Sequence, residues 1–194
     1  MAEVEPELIL ASTSPARRAL LDALGLPYRA VAPDYEEHLD PAFEPSALVR
    51  KLALGKAKAV AARFPNALVI GADQVAVVEG RVWGKPADES AARAQLQRLN
   101  GRTHGLITAV ALVGPGLEQV ETEMVKLTMF ELSVPELEGY LATREWEGCA
   151  GSYRIEGRGL ALFRDVRGDL NTIRGLPMTR LVRMLREAGV RFFA

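Results

Sequence analysis

Leu8-Ile9-Leu10-Ala11-Ser12-Thr13-Ser14-Pro15-Ala16-Arg17-Arg18-Ala19-Leu20-Leu21 is the stretch on which the fold turns. A short apolar run, Leu8 to Ala11, reads as a buried strand that stops in a hydroxyl-rich loop. Pro15 then suits the first turn of a helix, with Ser14 as its N-cap. Leu20, Leu21, Leu24 and Leu26 supply the helix's inward face. Small hydroxyl residues, free backbone amides and a helix N-terminus together make a seat for an anion. Arg17 and Arg18 fall in a first turn where the helix dipole favours acidic side chains, so a bound phosphate would offset them.

Outward from this unit, strands and helices alternate. Tyr28 to Ala32 reads as a short strand, followed by an acidic loop from Asp34 to Asp40 that contains Glu36 and Glu37. Pro45 opens a long helix toward Phe64, with Leu48, Leu52, Val60 and Phe64 on its apolar face and Lys56 among alanines. Ala67 to Gly71 is a buried strand ending at Ala72-Asp73-Gln74. Val75 to Val78 and Arg81 to Trp83 form a hairpin about Glu79-Gly80. Glu89 to Leu99 is helical and ends at Asn100-Gly101. Thr103 to Val113 and Val120 to Leu132 make an antiparallel pair about Gly114-Pro115-Gly116. Val134 to Thr143 is a helix, Arg144 to Ser152 an irregular loop, and Tyr153 to Glu156 and Leu160 to Val166 short strands. Pro177 to Ala188 closes the chain as a helix with Gly189 after it. Helix alternation mixed with hairpins predicts an α/β fold on a mixed sheet, one domain of two lobes.

Composition narrows the partners. The 194 residues carry 24 Lys+Arg and 25 Asp+Glu, a net charge of -1, and 48% are hydrophobic. That is a globular chain, not a disordered one, and its balanced charge argues against nucleic acid or an anionic membrane as partner. The single cysteine, Cys149, excludes an internal disulfide, and with only His38 and His104 no Cys/His zinc site can be assembled. The acidic N-terminus has no signal-peptide pattern. The apolar run Leu106 to Val113 is far shorter than the ~20 residues of a spanning helix. A cytoplasmic setting is the expectation.

Several residue groups suggest chemistry. Asp73 ends an apolar strand, where α/β folds place ligands, and a carboxylate there can hold Mg²⁺ or activate water. The carboxylates of Asp34, Glu36 and Glu37 suit a hard cation. Lys56 and Lys85 are candidate phosphate-directed ammoniums. Gly84-Lys85-Pro86 lacks the spacing of a Walker loop, and Gly157-Arg158-Gly159 lacks the third glycine of a dinucleotide fingerprint. No serine or cysteine nucleophile motif pairs with His104, which reads as structural.

Taken in order, Ser12-Thr13-Ser14-Pro15-x-Arg17-Arg18-x-Leu20-Leu21, Glu37, Lys56-Ala57, Gly71-Ala72-Asp73-Gln74-Val75, Gly84-Lys85-Pro86, Cys149-Ala150-Gly151-Ser152-Tyr153 and Gly175-Leu176-Pro177 fall into register with one family. Over nearly its whole length the chain resembles the Maf nucleoside triphosphate pyrophosphatases. The resemblance implies a two-lobed mixed α/β fold shared with inosine triphosphate pyrophosphatases, a deep cleft, a divalent cation (Mg²⁺ or Mn²⁺) and frequently a homodimer. It implies that Asp73 is the proton acceptor and, with Glu37, a metal-site residue. It implies that Ser12, Arg17 and Arg18 bind phosphate and that Lys56 and Lys85 face the triphosphate. Ala16, Gln74 and Glu156 match positions that select the base, and Ala16 is smaller than the Arg or bulky residue often found there. Members acting on dTTP and UTP usually carry Thr after the aspartate and Gln in the Ser-Tyr-x-x-Gln-Gly segment. Gln74 and Glu156 instead resemble the branch that hydrolyses 7-methyl-GTP. The reading is that Glu156 accepts from guanine N1–H and N2, while the Gln74 amide donates to O6. The expected reaction yields 7-methyl-GMP and diphosphate and keeps modified nucleotides from misincorporation. Alternatives are a dTTP/UTP pyrophosphatase of the same family, a septum-formation regulator that binds nucleotide without turnover, and a phosphatase that frees single phosphates.

Overall fold

A computed structural model of the protein describes residues 6–37 and 44–193. Its strands are β1 (Leu8–Leu10), β2 (Arg29–Ala30), β3 (Leu68–Val78), β4 (Arg81–Trp83), β5 (Thr103–Gly114), β6 (Leu117–Met129) and β7 (Phe163–Arg167). Its α-helices are α1 (Pro15–Asp22), α2 (Pro45–Ala61), α3 (Glu89–Leu99), α4 (Val134–Leu141), α5 (Leu170–Ile173) and α6 (Met178–Glu187). The strands join one seven-stranded sheet in the order β2-β1-β3-β5-β6-β7, with β4 paired to the far end of β3. β1 runs parallel to both β2 and β3, and every other pairing is antiparallel. This is the mixed α/β sheet that the alternation predicted.

Side-chain alternation along β3 explains the layering. Leu68, Ile70 and Ala72 pack with α1 and α6, whereas Val69 and Val75 join Val49, Ala53, Ala57 and Val60 of α2 on the other face. A second lobe grows from the distal sheet, where Leu96 and Leu99 of α3, Leu137 and Tyr140 of α4, Trp146 and Phe163 close over Leu106, Leu127 and Met129. Gly71 sets the spacing between β3 and α2, since a Cβ there would stand 2.2 Å from the Ala53 carbonyl oxygen. Only a residue without a side chain lets the helix come this close.

The structure corrects three local readings. β3 does not end at Asp73 but continues to Val78, because β5 pairs with it without interruption from Val69 to Val77. Tyr153 to Glu156 is not a strand: the segment bends into short 3₁₀ turns on either side, and the Arg154 amide donates to the Tyr140 hydroxyl at 3.0 Å. Leu160 belongs to the second of these turns, so β7 starts only at Phe163. The helix α5 carried no legible start signal apart from Asp169, whose carboxylate caps it by accepting from the Asn171 amide. Asp40 and His38 of the acidic loop lie outside the described residues. Among the described residues no helix is long and apolar enough to cross a membrane.

Candidate functional site

The cleft opens where the edge of β3 is left uncovered. β1 accompanies β3 only as far as Ile70, and β4 joins it only from Ala76. The intervening segment carries Asp73, so a mid-strand residue gains the access normally reserved for a strand end. Asp73 shares its face of β3 with Gly71, and the close approach of α2 there puts Lys56 beside it. Lys56 Nζ donates to Asp73 Oδ1 at 2.9 Å and pairs with Glu37 Oε1 at 2.7 Å. Both Lys56 and Asp73 are buried, while the Glu37 side chain is 48% exposed. Tyr35, in the same loop as Glu37, packs its ring against Gly55 of α2, so close that a Cβ at Gly55 would stand 2.3 Å from it. Burial pushes the Glu37 carboxyl up more than any other single influence. The Lys56 hydrogen bond and the charges of Lys56, Lys85 and Arg17 together outweigh it, and its pKa lies below the ordinary value.

The strand-to-helix turn after β1 forms the adjoining wall. Ser14 accepts from the Arg17 amide at 3.4 Å as the N-cap, and the Ser14 amide donates to Ser12 Oγ at 3.1 Å. Arg17 Nε donates to the Gly175 carbonyl at 3.0 Å, which draws the guanidinium across the floor of the cleft. Burial lowers the Arg17 pKa, and the charges of Asp73 and Glu37 pull it back. Arg18, about 100° further round the helix, is exposed and lines neither compartment of the cleft. Of the two arginines of this turn, Arg17 alone borders the cleft.

The cleft has an outer compartment of about 780 Å³ and an inner pocket of about 150 Å³. Ser14, Ala16, Arg17, Lys56, Lys85 and Glu156 border both. Ser12 and Glu37 border the outer one, and Asp73 and Gln74 the inner one. Nine of the ten residues that the family resemblance assigns to the site thus converge; Arg18 is absent from these linings, as are Asp34 and Glu36 of the acidic loop. Gln74 corrects an expectation. Its Nε2 donates to the carbonyls of Thr172 at 2.9 Å and Ile173 at 3.0 Å, and to Thr108 Oγ1 at 2.8 Å. Backbone carbonyls only accept, so these contacts fix the amide orientation. Gln74 therefore offers the pocket its Oε1, an acceptor, and cannot donate to a base carbonyl.

The opposite wall rests on residues that sequence reasoning missed. Gln95 of α3 accepts from the Ser152 hydroxyl at 2.6 Å and donates to the Gly84 carbonyl at 3.2 Å, tying the Lys85 loop to the 149–153 turn. His104 and Tyr153 are buried against Phe163 and share a 2.7 Å hydrogen bond, which supports the structural reading of His104. Burial pushes the His104 imidazole down to about 4. Arg154 and Arg174 add cations to the outer compartment, and Arg174 also borders the inner one. These residues had no signal beyond their type, because each acquires its place through contacts far away in sequence.

A lysine-bridged carboxylate pair beside a helix-capped anion seat, in a cleft lined on its other side by residues 145–157, defines an α/β protein equipped to hold a polyanionic ligand. Residues 7–188 match the family described as Maf-like protein, and the chain belongs to that family. It is 46% identical over 185 residues to the 7-methyl-GTP pyrophosphatase of Xanthomonas axonopodis pv. citri, covering 95% of this chain and 97% of that one. It is 43% identical over 187 residues to the dTTP/UTP pyrophosphatase of Symbiobacterium thermophilum, covering 96% of each. The fold is shared with the Staphylococcus aureus Ham1 protein, at a TM-score of 0.56 and 15% identity over 95% of this chain and 100% of that chain. A HAM1 protein from Coxiella burnetii gives the same TM-score of 0.56 at 14% identity, over 94% of this chain and 99% of that one.

Proposed function

We propose that the protein is a cytoplasmic nucleoside triphosphate pyrophosphatase that hydrolyses 7-methyl-GTP to 7-methyl-GMP and diphosphate. The observation that carries the reaction class is the convergence of Ser12, Arg17, Lys56, Lys85, Glu37 and Asp73 on one cleft. Arg17 and the Thr13 and Ala16 amides hold the phosphate chain, and Lys85 reaches it from the facing loop. Lys56 fixes Asp73 through Oδ1, while Oδ2 has no hydrogen bond among the described residues. That free oxygen orients a water toward the α-phosphorus and takes its proton as the phosphorus–oxygen bond to diphosphate breaks. The positive groups offset charge on the departing diphosphate.

Glu37 and Asp73 fit a divalent cation. Both are bonded to the same Lys56 nitrogen, so the two carboxylates face a common point. An all-oxygen pair that leaves room for phosphates and water is how proteins commonly hold Mg²⁺ or Mn²⁺. No third His, Cys, Asp or Glu joins them among the described residues. When bound, such an ion would neutralise phosphate charge and polarise the reacting phosphoryl group.

Base choice rests on acceptors. Glu156 and Gln74 both border the inner pocket, and a guanine edge presents two donors, N1–H and the N2 amine. A 7-methylated guanine is cationic, which adds attraction to the Glu156 carboxylate. Uracil and thymine present a single donor between two acceptors, a poor match. The test is a panel of 7-methyl-GTP, GTP, UTP and dTTP assayed with Mg²⁺ and with products identified. Fastest release of diphosphate from 7-methyl-GTP is expected. Faster turnover of dTTP or UTP overturns the base assignment but leaves the reaction class, and release of orthophosphate alone overturns the reaction class.

A further inference from the structure

The orientation of Gln74 leaves a requirement of the inner pocket unmet. A guanine-type base presents its N1–H and N2 donors beside the O6 carbonyl. Glu156 and Gln74 Oε1 supply acceptors, but O6 needs a donor. Most donors bordering the pocket are already engaged. Arg17 is bonded to the Gly175 carbonyl, Tyr153 to His104, and Gln74 Nε2 to Thr172 and Ile173. Lys56 is held between two carboxylates, and the Cys149 thiol is directed at the carbonyls of Glu145 and Glu147. Lys85 acts on both Glu37 and Cys149, and the nucleotide reading already assigns it to the phosphate chain.

Arg174 remains. It follows Ile173, whose carbonyl accepts from Gln74, so its backbone is one residue from the Gln74 clamp. It borders both the outer compartment and the inner pocket. Its Nε is buried without a hydrogen-bond partner, and no carboxylate among the described residues pairs with the guanidinium. An unfilled buried donor on a charged group is costly unless a ligand satisfies it. Guanidinium N–H groups are strong donors to a purine O6 carbonyl, and O6 is the acceptor that remains on that edge when N7 is methylated.

We propose that Arg174 is a specificity-determining residue that donates to the exocyclic carbonyl oxygen of a 6-oxopurine and thereby selects guanine-type bases over 6-aminopurines. An adenine base places an amine donor where O6 would lie, so it faces Arg174 donor to donor. The assignment rests on the nucleotide reading of the cleft above. It is tested with Arg174→Met and Arg174→Lys, each checked for an unchanged melting temperature. Diphosphate release is measured from 7-methyl-GTP, GTP and ATP. In parallel, binding of GTP and ATP analogues that carry a methylene between the α- and β-phosphorus is measured by calorimetry. Arg174→Met is expected to shrink the guanine-to-adenine preference by about tenfold or more, the scale of one base-edge contact, and Arg174→Lys to retain part of it. Equal slowing of all three nucleotides would assign Arg174 to the phosphate chain and overturn the proposal, as would an unchanged preference. Wild-type protein that binds the guanine analogue through Arg174 but releases no diphosphate would refute the pyrophosphatase reading while leaving this assignment intact.

Discussion

The two walls of the cleft are built on different principles. The wall proposed to take phosphate is made of regular elements: the end of β1, the first turn of α1, the middle of α2 and the open edge of β3. The wall proposed to take the base is made of irregular chain, residues 145–157 and 173–175. Its backbone relies on left-handed positions at Gly148, Gly151 and Ser152, with φ of 69°, 77° and 65°. Regular elements fix charged groups through packing, as Gly71 fixes Lys56 against Asp73. Irregular chain needs side-chain clamps, and Gln74, Gln95 and the His104–Tyr153 pair serve as these. The groups proposed to hold phosphate thus sit mainly on regular elements, with Glu37 and Lys85 on loops, and those proposed to read the base sit on clamped irregular chain.

That contrast can be broken first at Asp73. Asp73→Asn is nearly isosteric and should leave the melting temperature close to wild type while cutting turnover by ~10²–10⁴-fold, the range of a lost general base. Retained turnover in this variant would remove Asp73 from the mechanism. The base wall has its own weak point in His104, whose folded pKa of about 4 lies below the ordinary 6.5. The folded state keeps the ring neutral, and the unfolded chain takes up a proton once the pH falls below about 6.5. Stability is therefore full above that value and declines toward pH 4, by on the order of 3 kcal/mol at most. Urea unfolding at pH 7 and pH 5 reads this, and His104→Leu should flatten the slope even if it lowers stability at both pH values.

Arg17→Ala should reduce turnover by about 10- to 100-fold, the worth of a charge-assisted hydrogen bond. Base preference should hardly change, since this wall positions phosphate and does not read the base. An inverted preference would move Arg17 to the other wall. Glu156→Gln should do the reverse. It should lower the preference for 7-methyl-GTP over GTP and UTP by about tenfold with little loss of overall rate, and Gln74→Thr added to it should carry the preference toward pyrimidines. A uniform loss across bases would mean that Glu156 supports the loop without reading the substrate.

The difference between the walls also decides what the sequence reveals. Ser14, Pro15 and Arg17 were legible because a cap, a proline and a helix start are local signals. Lys56 and Asp73 were recognisable by type and order, but the sequence misplaced Asp73 at a strand end. Its exposure depends on where β1 stops and β4 begins, which are properties of other segments. Arg18 looked equivalent to Arg17 until the helix phase turned it outward. Gln95 and the direction of the Gln74 amide were illegible, because each is set by partners between 11 and 99 residues away, and Arg174 stands out only because the fold leaves its buried Nε without a partner. Tyr153 to Glu156 read as a strand on composition alone, whereas the positive φ at Ser152 and the Tyr140 hydrogen bond bend it.

The central claim is that water attacks the α-phosphorus, so that diphosphate leaves. Turnover of 7-methyl-GTP in ¹⁸O-labelled water, followed by mass spectrometry of both products, tests it most directly. The account predicts one labelled oxygen in the nucleoside monophosphate and none in the diphosphate. Label in diphosphate or in orthophosphate would show attack at another phosphorus and contradict it.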